Sequence, residues 1–350
     1  MAAFPPSTDP VSVEATTIKL ATTGGFLSPS ADPASVEATT IKLADAGAVP
    51  EPSTDPVSVE ATTIKLADVG HVPQPSTDPV SVVAATGQAM KPLYTSANCK
   101  AAYQLRWSLA LFSAAELPPV ETWVDALSEV VERDGVRLLE SRLHPPGVLL
   151  FLLSTQPPVK PPQVVKSVKG RLQHLLRASA PSAFRRNFSL SSVGDARREA
   201  IESYVGSQLG HHGMVDARVQ ARFKDFQFAF RAVDLSAEQF SSHGRYVYNL
   251  HVVLVHDERW REIREDYLAT TRDMLFKAAR QKGHRLSRLA LLPDHLHATL
   301  SCSFAESPEE VALGYMNNLA FAHRMQPVFC QSYYVGTFGE YDIRAIRRMV

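Results

Sequence analysis

"PGVLLFLLS" (146–154) and "PDHLHATLS" (293–301) both open on a proline, run through apolar residues and end on serine, as two buried strands would. Their surroundings correspond as well. Before the first stretch come "AAYQLRWSLALFS", a helical spacing of Val120, Trp123, Val124, Leu127, Val130 and Val131, and the strand "VRLLESRL". After it come the amphipathic "PPQVVKSVKGRLQHLLR", the strand "RRNFSLSSVG" and a helix from Asp195 towards His211. The second stretch follows "YVYNLHVVLVH", a helix bearing Trp260, Ile263, Tyr267, Met274 and Ala278, and the strand "HRLSRLALL". It is followed by the helix "SPEEVALGYMNNLAFAHR" and the strand "SYYVGTFG". Each half reads βαββαβ, which predicts an α+β protein of two tandem ferredoxin-like domains with antiparallel sheets and helices on one face.

The expected domains are residues 99–211 and 245–350, joined by 212–244, where the alternation in "FKDFQFAF" predicts a strand with no assigned place. Residues 1–90 are different. Asp9, Asp32, Asp55 and Asp78 mark a repeat of "STDPVSVEATTIKLA" type with a 23-residue step. Each copy has one short apolar run, a proline and no second element to pack against, so a disordered tail is expected rather than a solenoid. Met90 in "GQAMKPLYTS" is an alternative start.

With 350 residues, 45% hydrophobic and 8% aromatic, the chain has the composition of a soluble globular protein. No window approaches the roughly 20 apolar residues of a spanning helix. The opening "MAAFPPSTDP" has neither a basic nor an apolar leader region, so a cytoplasmic location without membrane attachment is expected. Cys99, Cys302 and Cys330 are odd in number and scattered, which suits plain thiols rather than a disulfide framework or a zinc knuckle. The formal net charge of zero divides into about −7 on residues 1–90 and about +7 on the remainder, the sign a nucleic-acid partner calls for.

His295 and His297 stand at i and i+2, so on a strand both rings face one side. Alone, the pair fits a structural strand or a metal site. "LLPDHLH", followed by an amphipathic helix and "SYYVGTFG", resembles the HUH single-tyrosine transposases, which include REP-associated tyrosine transposases and small insertion-sequence transposases acting on single-stranded DNA. The resemblance implies a divalent metal, Mg²⁺ or Mn²⁺, held by the two histidines and a glutamine. It also implies a nucleophilic tyrosine four residues before that glutamine on the closing helix. The second half ends before such a helix could carry one, since laying its last strand on that of the first half puts Met349 on Tyr204. The first half supplies it: "IESYVGSQLG" contains Tyr204 and Gln208, one helical turn apart on a shared face. Conversely, Val148 and Leu150 stand where the second half has His295 and His297.

Each half thus lacks what the other keeps. The family builds its site across a dimer, so the expectation is one composite site per chain. Tyr204 would be the nucleophile and His295, His297 and Gln208 the metal ligands, and one chain would mimic the family dimer, with homodimerisation left open. The rival nucleophile is Tyr341 in "GEYDIR". Lys166, Lys169, Arg171 and Arg177 on the second helix, with Arg185 and Arg186 after it, are candidate phosphate contacts or a solvated face. Asp294 closes the turn or orients His295; Tyr333 and Tyr334 are core or stacking residues; His211 and His212 form a helix end. The implied activity is nicking and strand transfer of single-stranded, hairpin-forming DNA through a 5′-phosphotyrosine link. Two alternatives are a domesticated hairpin nickase and a tandem nucleic-acid-binding module without chemistry, although the first half lacks the aromatic pattern of RNA-recognition domains.

Overall fold

The computed structural model describes residues 91–211, 214 and 216–340; the repeats of residues 1–90, His212 and Tyr341 lie outside them. The chain enters on β1 (Lys100–Gln104), passes Leu105 and continues as β2 (Arg106–Ser113), α1 (Val124–Glu132), β3 (Val136–His144), β4 (Val148–Thr155), α2 (Pro161–Leu175) and β5 (Phe184–Val193). Then come α3 (Arg198–His211), α4 (Ala217–Lys224), β6 (Gln227–Ala229), β7 (Gln239–Phe240) and β8 (Gly244–Val247). The remainder is β9 (Asn249–Val255), α5 (Glu265–Lys282), β10 (Arg285–Leu291), β11 (His295–Ser301), α6 (Pro308–Ala322) and β12 (Ser332–Thr337). Among the described residues no helix is long and apolar enough to cross a membrane.

The result is a mixed α+β structure with two six-stranded, largely antiparallel sheets. One sheet is ordered β3-β4-β2-β5-β8-β7 and the other β1-β12-β9-β11-β10-β6. In both, the fourth strand of a βαββαβ unit lies beside the first, then the third, then the second, an order consistent with the ferredoxin-like type. Local chemistry sets the helix ends. Ser307 Oγ accepts from Glu310 N–H and the Glu310 carboxylate from Ser307 N–H, so "SPEE" starts α6 with proline in its first turn. At the end of α5, Gly283 takes φ 68°, the left-handed cap that glycine adopts without a Cβ penalty.

The two sheets are sewn together by exchanged strands. The expected single strand "AAYQLRWSLALFS" is two, because β1 pairs parallel with β12 in one sheet while β2 is central in the other. Likewise β8 pairs parallel with β5, and β9 is central in the opposite sheet. Hydrogen bonds at the crossing come in matched sets. Arg106 N–H donates to Thr337 Oγ1 at 2.7 Å, which donates to the Val193 carbonyl at 2.7 Å. Asn249 N–H donates to Ser192 Oγ at 2.9 Å, which donates to the Phe338 carbonyl at 3.2 Å. The Leu105 carbonyl accepts from Thr155 N–H as the Tyr248 carbonyl accepts from Cys302 N–H. Gly194 and Gly339 meet at this crossing, with Gly194 N–H donating to the Gly339 carbonyl at 3.2 Å. A Cβ on Gly194 would lie 2.5 Å from the Thr337 carbonyl oxygen, and one on Gly339, 2.6 Å from that of Ser192.

Within the joining segment, α4 is an element the sequence pattern did not announce. "FKDFQFAF" does supply a strand, β6, which pairs antiparallel with the outer side of β10. The apolar core includes Trp107, whose indole N–H donates to Thr155 Oγ1 at 3.0 Å and whose ring lies 5.1 Å from that of Tyr248. Leu250, Val252 and Leu254 of β9 and Leu296, Ala298 and Leu300 of β11 belong to it too. Because side chains alternate along a strand, His251, His295 and His297 point to the other face of the sheet. It is α3, which follows the first βαββαβ run, that packs on β10 and β11.

Candidate active site

α3 starts just after the Gly194 crossing, which carries it from the end of β5 onto the neighbouring sheet. Val205, Gln208 and Leu209 are buried and Tyr204 is 44% exposed. The Tyr204 ring meets that of His297 edge-on, centroids 5.7 Å apart and planes at 84°, and that of His251 at 6.2 Å and 81°. The Gln208 side-chain N–H donates to the Tyr204 carbonyl at 3.1 Å, leaving Oε1 as the atom the amide would offer a cation.

β11 begins at His295, and its ladder with β9 sets His297 opposite Val253, one pleat from His251. The His295 and His297 ring centroids are 5.0 Å apart with planes at 73°. Asp294 does more than close the turn: its Oδ1 is 2.7 Å from His295 Nδ1. His297 Nδ1 is 2.9 Å from His251 Nε2, with the two rings stacked at 15°. Burial pushes the His251 imidazole down to about 4, so it is neutral at pH 7. For His297 to offer Nε2 to a cation its proton must sit on Nδ1 and be donated to His251 Nε2, which places the His251 proton on Nδ1. Nδ1 of each strand histidine is held by a neighbouring side chain, so a metal bound by either ring would be taken at Nε2. Among the described residues no three His, Cys, Asp or Glu side chains converge as a ready-made cation site, so a third protein donor would be the Gln208 amide.

The rim is completed by Tyr334 of β12, whose ring lies 5.7 Å from His251. Burial raises the Tyr334 phenol, and the nearby Asp195 and Tyr204 raise it further. Asp195 in turn accepts from Arg106 and Gln104, at the point where β1 passes into β2. Tyr333 belongs to the core and donates its hydroxyl to Glu309 at 3.2 Å. His211 ends α3 with Nε2 3.4 Å from Ser207 Oγ.

Of the basic residues singled out from sequence, two are committed within the protein. Lys169 Nζ donates to the carbonyls of Arg185 and Arg186, and burial lowers its pKa. Arg171 forks onto Asp134 at 3.1 and 3.3 Å, and that hydrogen-bonded carboxylate raises its pKa. Lys166, Arg177, Arg185 and Arg186 are exposed, the last two on β5 itself. Sequence reading missed His251 and Tyr334 as site members. His251 did leave a signal, an imidazole inside the apolar run "NLHVVLV", but only the β9–β11 register shows which ring it meets.

In comparisons with known proteins, no family model and no curated protein matches the chain. Solved structures with partial resemblance include two that differ in kind. One is a REP-associated tyrosine transposase bound to a REP hairpin, at 13% identity over 29% of this chain and 61% of that one, TM-score 0.23. Another is a bacterial light-regulated adenylyl cyclase, at 9% identity over 56% of this chain and 60% of that one, TM-score 0.18. The chain spans about three fifths of the length of each, and neither likeness amounts to a shared overall fold.

Proposed function

We propose that the chain is a metal-dependent single-stranded DNA nicking and strand-transfer enzyme with one composite site, formed by Tyr204 and Gln208 of the first half and His295 and His297 of the second. The reading rests on one observation: the Tyr204 ring, on a helix from one half, lies against the His297 ring on a strand from the other. The sequence resemblance to HUH single-tyrosine transposases agrees with it, as does the matched hydrogen bonding at the crossing, which suits an ancient tandem duplication. Domain limits of 99–211 and 245–350 remain those of the duplication reading, with one strand of each unit lent to the other sheet. A single chain would then stand in for a dimer.

Two imidazoles on one strand face and the Gln208 amide oxygen would hold a divalent cation, Mg²⁺ or Mn²⁺, and three protein donors would leave room for phosphate oxygens. When bound, the cation supplies Lewis-acid polarisation of the scissile phosphate. The remaining work falls to the chain. Asp294 and His251 hold the two ligand rings in one tautomer and orientation. The hydroxyl of Tyr204, a residue 44% exposed, attacks phosphorus as the P–O3′ bond breaks. Its proton passes to a neutral acceptor and the departing 3′ oxygen takes one up, leaving a 5′-phosphotyrosine. Reattack by a 3′ hydroxyl reverses the linkage without a nucleotide cofactor.

Purified protein incubated with single-stranded hairpin DNA and Mn²⁺ or Mg²⁺ tests this. A covalent adduct is expected, lost in Tyr204→Phe and retained in Tyr341→Phe. Adduct that persists in Tyr204→Phe but vanishes in Tyr341→Phe reverses the assignment. No adduct under either metal, with DNA still retained, leaves a binding module.

A further inference from the structure

A concavity lies where the chain leaves β9, away from the Tyr204 site. It is a cavity of about 370 Å³ between the segment that follows β9 and the C-terminal end of α6. Its lining is aromatic and hydrogen-bonding: Trp260, Tyr267 and His323, with Gln326, Asp257 and Glu258. The Tyr267 and His323 rings stack at 3.8 Å and 17°, and Trp260 stands edge-on to Tyr267 at 5.4 Å. Arg264 lies 5.7 Å over the Tyr267 ring, fixed there by the buried Glu262 carboxylate through bonds of 2.6, 3.0 and 3.1 Å. Trp260 is 36% exposed, whereas Trp107 and Trp123 are buried at 0% and 4%.

Backbone strain concentrates on this cavity. Among the described residues the non-glycine positions with left-handed φ are Glu258 (51°), Arg259 (54°), Arg324 (62°) and Met325 (60°). Glu258 lines the cavity, with Arg259 next to it in the chain, and Arg324 and Met325 fall between the lining residues His323 and Gln326. Such conformations are strained for a residue with a Cβ, and they persist where the surroundings over-determine them, commonly at ligand clamps. The first of these segments is also tied to the histidine turn. His256 N–H donates to the Asp294 carbonyl and Glu262 N–H to the Pro293 carbonyl, both at 2.8 Å.

We propose that this cavity takes one unpaired nucleobase bearing an exocyclic amine, from the single-stranded DNA held at the Tyr204 site. The inference rests on the DNA-processing reading for the source of the base. Every base offers a flat π-face to an aromatic wall, whereas only adenine, cytosine and guanine present an amine to the carboxylates of Asp257 and Glu258. Thymine carries a carbonyl oxygen there and meets like partial charge. Exposed Arg261 and Arg324, each next in the chain to a residue that lines the cavity, suit the phosphates on either side of the base. With the rim bonded to the Asp294 turn, the seated base would be a short run of nucleotides from the phosphate under attack.

The test uses the full chain and the fluorescence of Trp260, the solvent-facing tryptophan of the described residues, titrated with each deoxynucleoside monophosphate. Saturable quenching by dAMP, dCMP and dGMP at about millimolar concentration is expected, with dTMP about tenfold weaker, the worth of one lost hydrogen bond to a charged group. The paired change Asp257→Asn with Glu258→Gln should erase the difference between dCMP and dTMP, and Gln326→Ala should weaken binding of all four. Absence of quenching, or equal quenching by dTMP, overturns the pocket. Hairpin-adduct formation by the unaltered protein separates the two ideas: adduct without mononucleotide quenching removes the pocket alone, and quenching without adduct removes the nuclease reading alone.

Discussion

At His251 a single buried imidazole decides how a neighbouring ring can be used. Its Nε2 lies 2.9 Å from His297 Nδ1, so replacing it with leucine removes that partner and loosens the hold on the ring. For His251→Leu, the Mn²⁺ concentration giving half-maximal adduct should rise about 10- to 100-fold, with the melting temperature changed far less than a global packing defect would change it. Direct Mn²⁺ titration by electron paramagnetic resonance checks the same shift without relying on turnover.

A second residue-level test concerns stability rather than chemistry. Burial pushes the Glu306 carboxyl up, but His284 at 2.7 Å and the Lys282 ammonium outweigh it and bring it down to about 2. A depressed carboxyl stabilises the fold above its unfolded value near 4.5, and that stabilisation is lost as pH falls through about 2. Glu306→Gln should therefore lower stability at pH 7 by on the order of 3 kcal/mol. The gap from the unaltered protein should close in urea titrations repeated between about pH 4.5 and 2.

Between elements, the closest constraint is the crossing of the β5–α3 and β12 ends. Gly194 and Gly339 each face the other strand's carbonyl where a methyl group has no room, and Gly339 also has φ 137°. Gly194→Ala and Gly339→Ala should each cost about 2 kcal/mol or more, seen as a lower urea midpoint. Because α3 leaves directly from this crossing, Gly194→Ala should also reduce adduct yield by displacing Tyr204. Most element types here were legible from hydrophobic spacing: the strands around 148–155 and 295–301, the amphipathic α2 and the "SPEE" start of α6. The split of 100–113 into strands of different sheets was not, since a continuous extended run looks the same whichever partner each part finds.

For the whole molecule, strand exchange means that neither half closes by itself. A fragment ending in the segment that joins α3 to α4 would lose β8 from the edge of β5 and leave β1 without β12. Such unpaired edges favour association. Residues 91–211 expressed alone should aggregate or bind non-natively, whereas co-expression with 216–350 should restore a one-to-one complex with dispersed amide NMR signals. If the fragment gives a monomeric, well-dispersed spectrum by itself, the exchanged strands are dispensable.

Sequence alone determined the two βαββαβ patterns, the shared face of His295 and His297, and the one-turn spacing of Tyr204 and Gln208, because these follow from periods of 2 and 3.6 along a local stretch. It could also note that each motif is missing from the other half. Only the tertiary structure decided that α3 lies on the second sheet, that Tyr204 meets His297, and that His251 buttresses that ring. Those contacts join residues far apart in the chain, and they depend on the strand register and the glycine crossing, which no local period encodes.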